Sequence, residues 1–339
     1  MNILLTSVGR RSYMVDYFKE ALQSVGGKVY AANSEQNSPA LYTADEYVIS
    51  PLIYDEKYES FILNYCLKND ISVLISLFDI ELPKLSTLKD KFKKNGILII
   101  VGDSWLTEMA NDKWQTFQFL KANNFLTKDV YLNLPDCKTA LKNKLLDFPV
   151  FVKPRWGMGS IAVYKAYSIE ELDFYFNAVK KVITNSYLKF ESALDFENSV
   201  IIQPAFLGFE YGLDIINDLN GDYQTTIVKR KIAMRSGETD AATTVFEPIL
   251  EQLGKEISNL TKHPANMDVD VFFDGTEAYV LELNPRFGGG YPFSHMAGVN
   301  LPEAIIKWYN MEKVEISSCL KPKIGITSMK GISMITQIS

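Results

Sequence analysis

Short apolar runs alternate with helical periodicity through the first hundred residues. Strands are expected over 3–6, 28–32, 48–50, 73–77 and 97–101, and helices over 12–25, 56–69 and 82–94. Strands alternating with helices predict a parallel, doubly wound sheet, whose ligands sit at the carboxyl ends of the strands. Two of those ends carry polar groups: Thr6-Ser7-Val8-Gly9-Arg10 after the first strand, and Phe78-Asp79-Ile80-Glu81 after the fourth. Arg10 and Asp79 are candidates for ligand contact; for Thr6 and Ser7, helix-cap and turn chemistry is the competing role. The single glycine of the first segment lacks the three-glycine dinucleotide pattern.

A helical run is expected over 103–123, ending at Asn123-Asn124, and a second over 138–146, before Asp147-Phe148-Pro149 leads into a β-rich region. The predicted division is 1–108 as an N-terminal unit, 109–205 as a linker and small lid-like unit, and 206–339 as an α+β unit; strands are expected over 200–203 at the end of the second unit and over 212–216 and 225–231 in the third. With 339 residues, 47% of them apolar, the chain can bury the cores that two or three units need.

The most informative pattern lies over 266–286, where two strand-like stretches flank Asp274-Gly275. Met267, Val269 and Val271 alternate with Asp268 and Asp270, and Tyr279, Leu281 and Leu283 alternate with Val280, Glu282 and Asn284. A loop of three or five residues centred on Gly275 sets Asp268 opposite Glu282 and Asp270 opposite Val280, gathering Asp268, Asp270, Glu282 and Asn284 on one face. A two-residue turn would put Asp268 and Glu282 on opposite faces. Like charges so placed need a counter-charge, and hard oxygen donors favour Mg²⁺, with Mn²⁺ as an alternative. The continuation Asn284-Pro285-Arg286-Phe287-Gly288-Gly289-Gly290 adds an arginine and bare backbone beside the acids, as developing phosphoryl charge requires.

Charge and composition narrow the classes. A net charge of −6 offers no basic footprint for nucleic acid or anionic lipid. No apolar stretch approaches a membrane span or an export signal, and Cys66, Cys137 and Cys319 are too dispersed for a disulfide framework, so a cytoplasmic location is expected. His263 and His295 are the only histidines, which excludes a multi-histidine zinc site. His263, beside Pro264, is expected at the surface, and His295 is a candidate for ligand contact.

At the Glu-x-Asn-Pro-Arg segment the chain resembles the ATP-grasp superfamily, particularly its carbamoyl-phosphate-synthetase-like and carboxylate-amine ligase members. The resemblance implies an N-terminal doubly wound domain followed by a two-part ATP-grasp fold. It implies Asp268, Glu282 and Asn284 as metal ligands and Arg286 as the residue steadying the transferring phosphoryl group. Asn111-Asp112-Lys113 and Phe151-Val152-Lys153-Pro154 resemble the superfamily's phosphate-contacting lysine segments, assigning Lys113 and Lys153. Trp156-Gly157-Met158-Gly159-Ser160 resembles a flap over the phosphates, assigning Gly157, Gly159 and Ser160, and it lacks the Gly-Lys-Ser/Thr of a Walker loop. Gln203 and Ala205 correspond to the hinge that holds adenine, Glu210 to the residue that takes the ribose hydroxyls, and Lys231 to a basic strand facing the phosphates.

The implied activity is ligation. ATP, with Mg²⁺ across its terminal phosphates and Lys113, Lys153 and Arg286 offsetting their charge, is attacked by a carboxylate; the acyl phosphate is then captured by an amine near the triple-glycine loop. The alternatives are a small-molecule kinase and a non-catalytic nucleotide-binding protein. The expected partners are small carboxylate and amine substrates, with no nucleic acid or membrane; a homodimer is left open.

Overall fold

The structure, a computed structural model, describes residues 1–235 and 237–336. Its N-terminal sheet comprises β1 (Asn2–Thr6), β2 (Val29–Asn33), β3 (Glu46–Ile49), β4 (Ile71–Ser76) and β5 (Leu98–Ile100), all parallel in the order β3-β2-β1-β4-β5. Helices cover both faces, so alternate residues of one strand enter different cores. Ile3 and Leu5 pack with Met14 and Phe18 of helix Ser12–Leu22, whereas Leu4 packs with Ile62 and Leu85 from helices Tyr58–Lys68 and Leu82–Lys94. The strand order reverses between β1 and β4, opening a crevice at their carboxyl ends.

The helical run after residue 103 is not continuous. Helices Ser104–Asn111 and Lys113–Ala122 are separated by Asp112, which is extended and accepts the N–H groups of Trp114 and Gln115. A cap residue forces non-helical dihedrals, which apolar periodicity alone does not register.

A small antiparallel sheet follows, with β6 (Val150–Pro154) between β7 (Tyr164–Ala166) and β8 (Val200–Pro204). Helix Ile169–Thr184 packs on it through Leu172, Phe176, Val179 and Ile183. The larger antiparallel sheet has the order β13-β12-β9-β10-β11-β14, from β9 (Phe209–Asn217), β10 (Tyr223–Arg235), β11 (Glu238–Val245), β12 (Asn266–Phe273), β13 (Ala278–Asn284) and β14 (Thr327–Met329). One face is closed by Leu250, Leu253 and Ile257 of helix Pro248–Thr261, packed on Leu213, Val228, Val269 and Leu283.

The N-terminal core runs without interruption into this half of the molecule. Helix Leu301–Tyr309 contributes Leu301 and Ile305 to the cluster holding Phe18, and the Phe18 and Phe287 rings meet edge-on at 5.9 Å. The crevice at β1 and β4 is thereby fixed against the segment that follows β13. No described helix is long and apolar enough to cross a membrane, and all three cysteines are buried and unpaired.

Candidate active site

The register of β12 and β13 decides which side chains meet. Phe273 pairs with Ala278, leaving a four-residue loop from Asp274 to Glu277 in place of the predicted three or five residues. That loop alone would set Asp268 opposite Leu283, on the wrong face. Leu281 is an unpaired bulge residue that corrects the parity: Asp270 pairs with Glu282 and Asp268 with Asn284, in place of the expected Asp268 with Glu282. The same bulge turns Val280 into the core beside Leu283 and frees Leu281 to face a cavity, so Val280 does not share the acid face as strict alternation predicted.

Two cavities meet over this hairpin. The larger, about 350 Å³, lies between the two antiparallel sheets. At one end Phe151, Gln203, Phe206, Phe272 and Leu281 form a mostly apolar slot, with the Phe206 and Phe272 rings stacked at 5.2 Å. At the other end stand Lys113, Lys153, Asp270 and Glu282, roofed by Gly157, Gly159 and Ser160. These three roof residues have φ of 103°, 67° and 55°, a left-handed backbone that lets the flap fold tightly over the cavity. Glu210 also lines this cavity.

Lys113 donates to the Gly157 carbonyl, tying the flap to the start of its helix. Arg155 fixes the flap's root: it donates to Asp112 at 2.7 and 2.6 Å and to Asp195 at 2.8 Å, and lies 4.3 Å over the Trp156 ring. Sequence reasoning missed Arg155, which stands between the two quoted segments, after Pro154 and before Trp156. Burial, then the neighbouring Lys113, lowers the Lys153 pKa to about 8.

That shift yields a prediction with opposite signs for stability and binding. The unfolded chain holds the Lys153 proton up to the ordinary lysine pKa of about 10.4, so between pH 8 and that value this group stabilises the free protein as pH rises. Affinity for a polyphosphate anion should fall over the same interval by up to about tenfold per pH unit, because binding needs the charged amine. Calorimetric titration across pH 7–9.5 with wild type and Lys153→Arg checks this; an equally steep loss in the arginine variant would refute it.

The smaller cavity, about 70 Å³, lies on the far side of Asp270 and Glu282, which border both spaces. Arg11, Lys229, Lys231, Glu238, Asp268 and Arg286 supply its charged wall. Lys231 donates to Glu210 and Asp270, both at 2.6 Å. Arg286 donates to Asp79 at 3.0 and 2.7 Å and to Asp268 at 3.1 Å, joining the end of β4 to the hairpin. The glycines make room: a Cβ on Gly288 would stand 2.1 Å from the Asp268 carboxyl carbon.

Burial raises the Asp270 pKa even beside Lys231, and the carboxylates of Asp268, Glu282 and Glu210 add to the rise. Asn284 donates to Glu282 at 3.4 Å. Among the described residues no three carboxylate, histidine or cysteine side chains already converge as a metal cluster. Asp268 is held by Arg286 and Asp270 by Lys231. The donor set is nonetheless all oxygen, crowded and acidic, which is the chemistry that suits a divalent cation.

Several sequence expectations are redirected. Ala205 lies outside both cavities and donates its N–H to the Pro149 carbonyl. Thr6 and Ser7 cap no helix; they donate at 2.9 and 2.7 Å to the buried Glu81, which also accepts from Ser76 and Tyr58. Arg10 is exposed, and Asp79 is committed to Arg286. His263 is fully buried between Thr261 and the Ile215 carbonyl, and burial lowers its pKa to about 4. His295 stacks on Tyr17 at 3.6 Å, outside both cavities.

Comparison with known proteins bears on the fold that carries this geometry. Residues 3–100 match the family described as "PylC-like, N-terminal domain", and residues 196–331 match "ATP-grasp in the biosynthetic pathway with Ter operon". A curated relative, the carbamoyl phosphate synthase large chain of Clostridium acetobutylicum, is 23% identical over 305 residues, covering 85% of this chain and 26% of its own length. The chain thus spans about a quarter of that relative. Among solved structures, the biotin carboxylase domain of Hydrogenobacter thermophilus 2-oxoglutarate carboxylase, in complex with MgADP, ADP and bicarbonate, superposes with a TM-score of 0.71 at 15% identity, covering 96% of this chain and 73% of that one. An L-amino acid ligase from Bacillus licheniformis gives 0.69 at 17% identity, with coverage of 93% and 78%.

Proposed function

From the premise that this chain belongs to the ATP-grasp superfamily, we propose that it uses MgATP to activate a small carboxylate as an acyl phosphate, which an amine captures with release of ADP and phosphate. The observation that carries this reading is the meeting of the two cavities at one acidic wall. A nucleotide in the larger space brings its terminal phosphate to Asp270 and Glu282, and the smaller space holds the phosphoryl acceptor on the other side of them.

The aromatic slot takes the base, with Gln203 as its polar contact, and Glu210 takes the ribose. Lys113 and Lys153 neutralise phosphate charge, and the flap amides around Gly157, Gly159 and Ser160 lie over it. Asp268, Glu282 and Asn284 would hold Mg²⁺, which would supply positive charge to offset that of the nucleotide's phosphates. Arg286 stands where charge develops on the transferring group, held in place by Asp79. Residues 155–163, connecting β6 to β7, shield the acyl phosphate from water.

The test is an ADP-release screen crossing small carboxylates with amines, followed by mass spectrometry. A condensed product with stoichiometric free phosphate is expected. A stable phosphorylated acceptor without free phosphate would replace the ligase reading with a kinase.

A further inference from the structure

Most of the charge around the smaller cavity is already neutralised. Lys229 is paired with Asp214, Lys231 with Glu210 and Asp270, and Arg286 with Asp79 and Asp268. Arg11 and Glu238 are paired with each other only loosely, although Glu238 is also paired with Lys330. They face each other across 3.7 Å, too far for a hydrogen bond, although both border the cavity. Among the described residues Glu238 holds only Lys330 at normal distance, through Oε2 at 3.1 Å, which leaves Oε1 with no donor.

Arg11 also lies beside Arg286, whose charge Asp79 and Asp268 already offset, so Arg11 supplies the less closely paired positive charge of this corner. Each guanidinium reaches the Phe287 carbonyl at 3.4 Å, so the two lie side by side. An anionic group fits at this corner and a cationic one at Glu238 Oε1. The short span between them suits charges borne on atoms one carbon apart. The neighbouring walls are small: Gly289 lies beneath Glu238, where a Cβ would stand 3.3 Å from the carboxyl carbon, and Ala242 and Gly290 also border the space.

We propose that the smaller cavity is a zwitterion site for a small α-amino acid, whose carboxylate lies at the Arg11 and Arg286 corner and whose ammonium is held by Glu238. The inference rests on the ligase reading and names its carboxylate substrate. The carboxylate end then faces the shared wall of Asp270 and Glu282, where the phosphoryl group arrives. The ammonium, held as a donor to Glu238, is kept from acting as the nucleophile.

The test measures calorimetric binding to the full chain loaded with magnesium and the non-hydrolysable ATP analogue AMPPNP. Glycine, L-alanine and L-serine are compared with propionate and N-acetylglycine, which lack the ammonium. At least one of the three amino acids should bind, and the two controls should be at least about tenfold weaker, the worth of one charged hydrogen bond. Glu238→Gln should abolish that preference while AMPPNP affinity stays within about twofold of wild type. Gly289→Ala, which crowds Glu238 without removing its charge, should weaken the amino acid alone. Failure of all three amino acids to bind, or equal binding of propionate, overturns the zwitterion site. Failure of AMPPNP itself to bind overturns the ligase reading beneath it.

Discussion

Glu282→Gln should lower ADP release at saturating substrates by on the order of 10³-fold, with little change in folding. Glu282 borders both cavities and stands opposite Asp270 in the hairpin. Glutamine keeps the shape and one oxygen, so Asn284 retains its acceptor, but the charge that holds the cation is lost. The free protein should not suffer. Burial and neighbouring carboxylates already disfavour charge on Asp270, and removing one of those neighbours relieves repulsion. The melting midpoint without ligand is therefore expected to stay level or rise, and the fall in turnover cannot be assigned to unfolding. ADP release by Glu282→Gln within tenfold of wild type, at any magnesium concentration, would remove the hairpin from the mechanism.

That hairpin also shows how far the chemistry was readable in the chain. The spacing of Asp268, Asp270, Glu282 and Asn284 identified the acidic face, because strand alternation is a local property. Their pairing was not readable, since it depends on the loop from Asp274 to Glu277 together with a bulge at Leu281, and neither has a distinctive residue beyond Gly275. The five parallel strands were recognisable from their apolar runs, and Lys153 and Gln203 from their place within β6 and β8. The break at Asp112 was hidden because apolar periodicity does not register a cap residue; its bonds from Arg155 are tertiary and equally invisible in the chain. Arg11 and Glu238 are separated by more than two hundred residues, and tertiary contacts bring their domains together: helix Leu301–Tyr309 packs against helix Ser12–Leu22, Phe18 meets Phe287, and Arg286 pairs with Asp79. His263 misled for the opposite reason. A polar stretch with Pro264 reads as surface, yet its imidazole bridges Thr261 and the Ile215 carbonyl inside the fold.

The largest loss of stability is expected from Asp214→Ala. Lys229 donates to Asp214 where the two side chains are 1% and 0% exposed, and Asp214 also accepts from Asn266 and Ser294. Removing the carboxylate strands a buried ammonium beneath the smaller cavity and leaves two further donors without their acceptor. Breaking one side of such a pair costs about 3–5 kcal/mol, equivalent to a fall of roughly 4–7 °C in the melting midpoint of a chain this long. The pair itself need not stabilise the fold by that amount, because desolvating both ions offsets their attraction. Asp214→Leu combined with Lys229→Met should therefore melt well above Asp214→Ala, recovering at least half of the lost midpoint. If the single variant melts within a degree or two of wild type, the ammonium has found water, and the floor of the smaller cavity is wetter than its packing indicates. If the double variant folds but no longer binds any amino acid, the Lys229 charge contributes to the field that draws a carboxylate to the Arg11 and Arg286 corner, and the ion pair is kept for the site and not for the core.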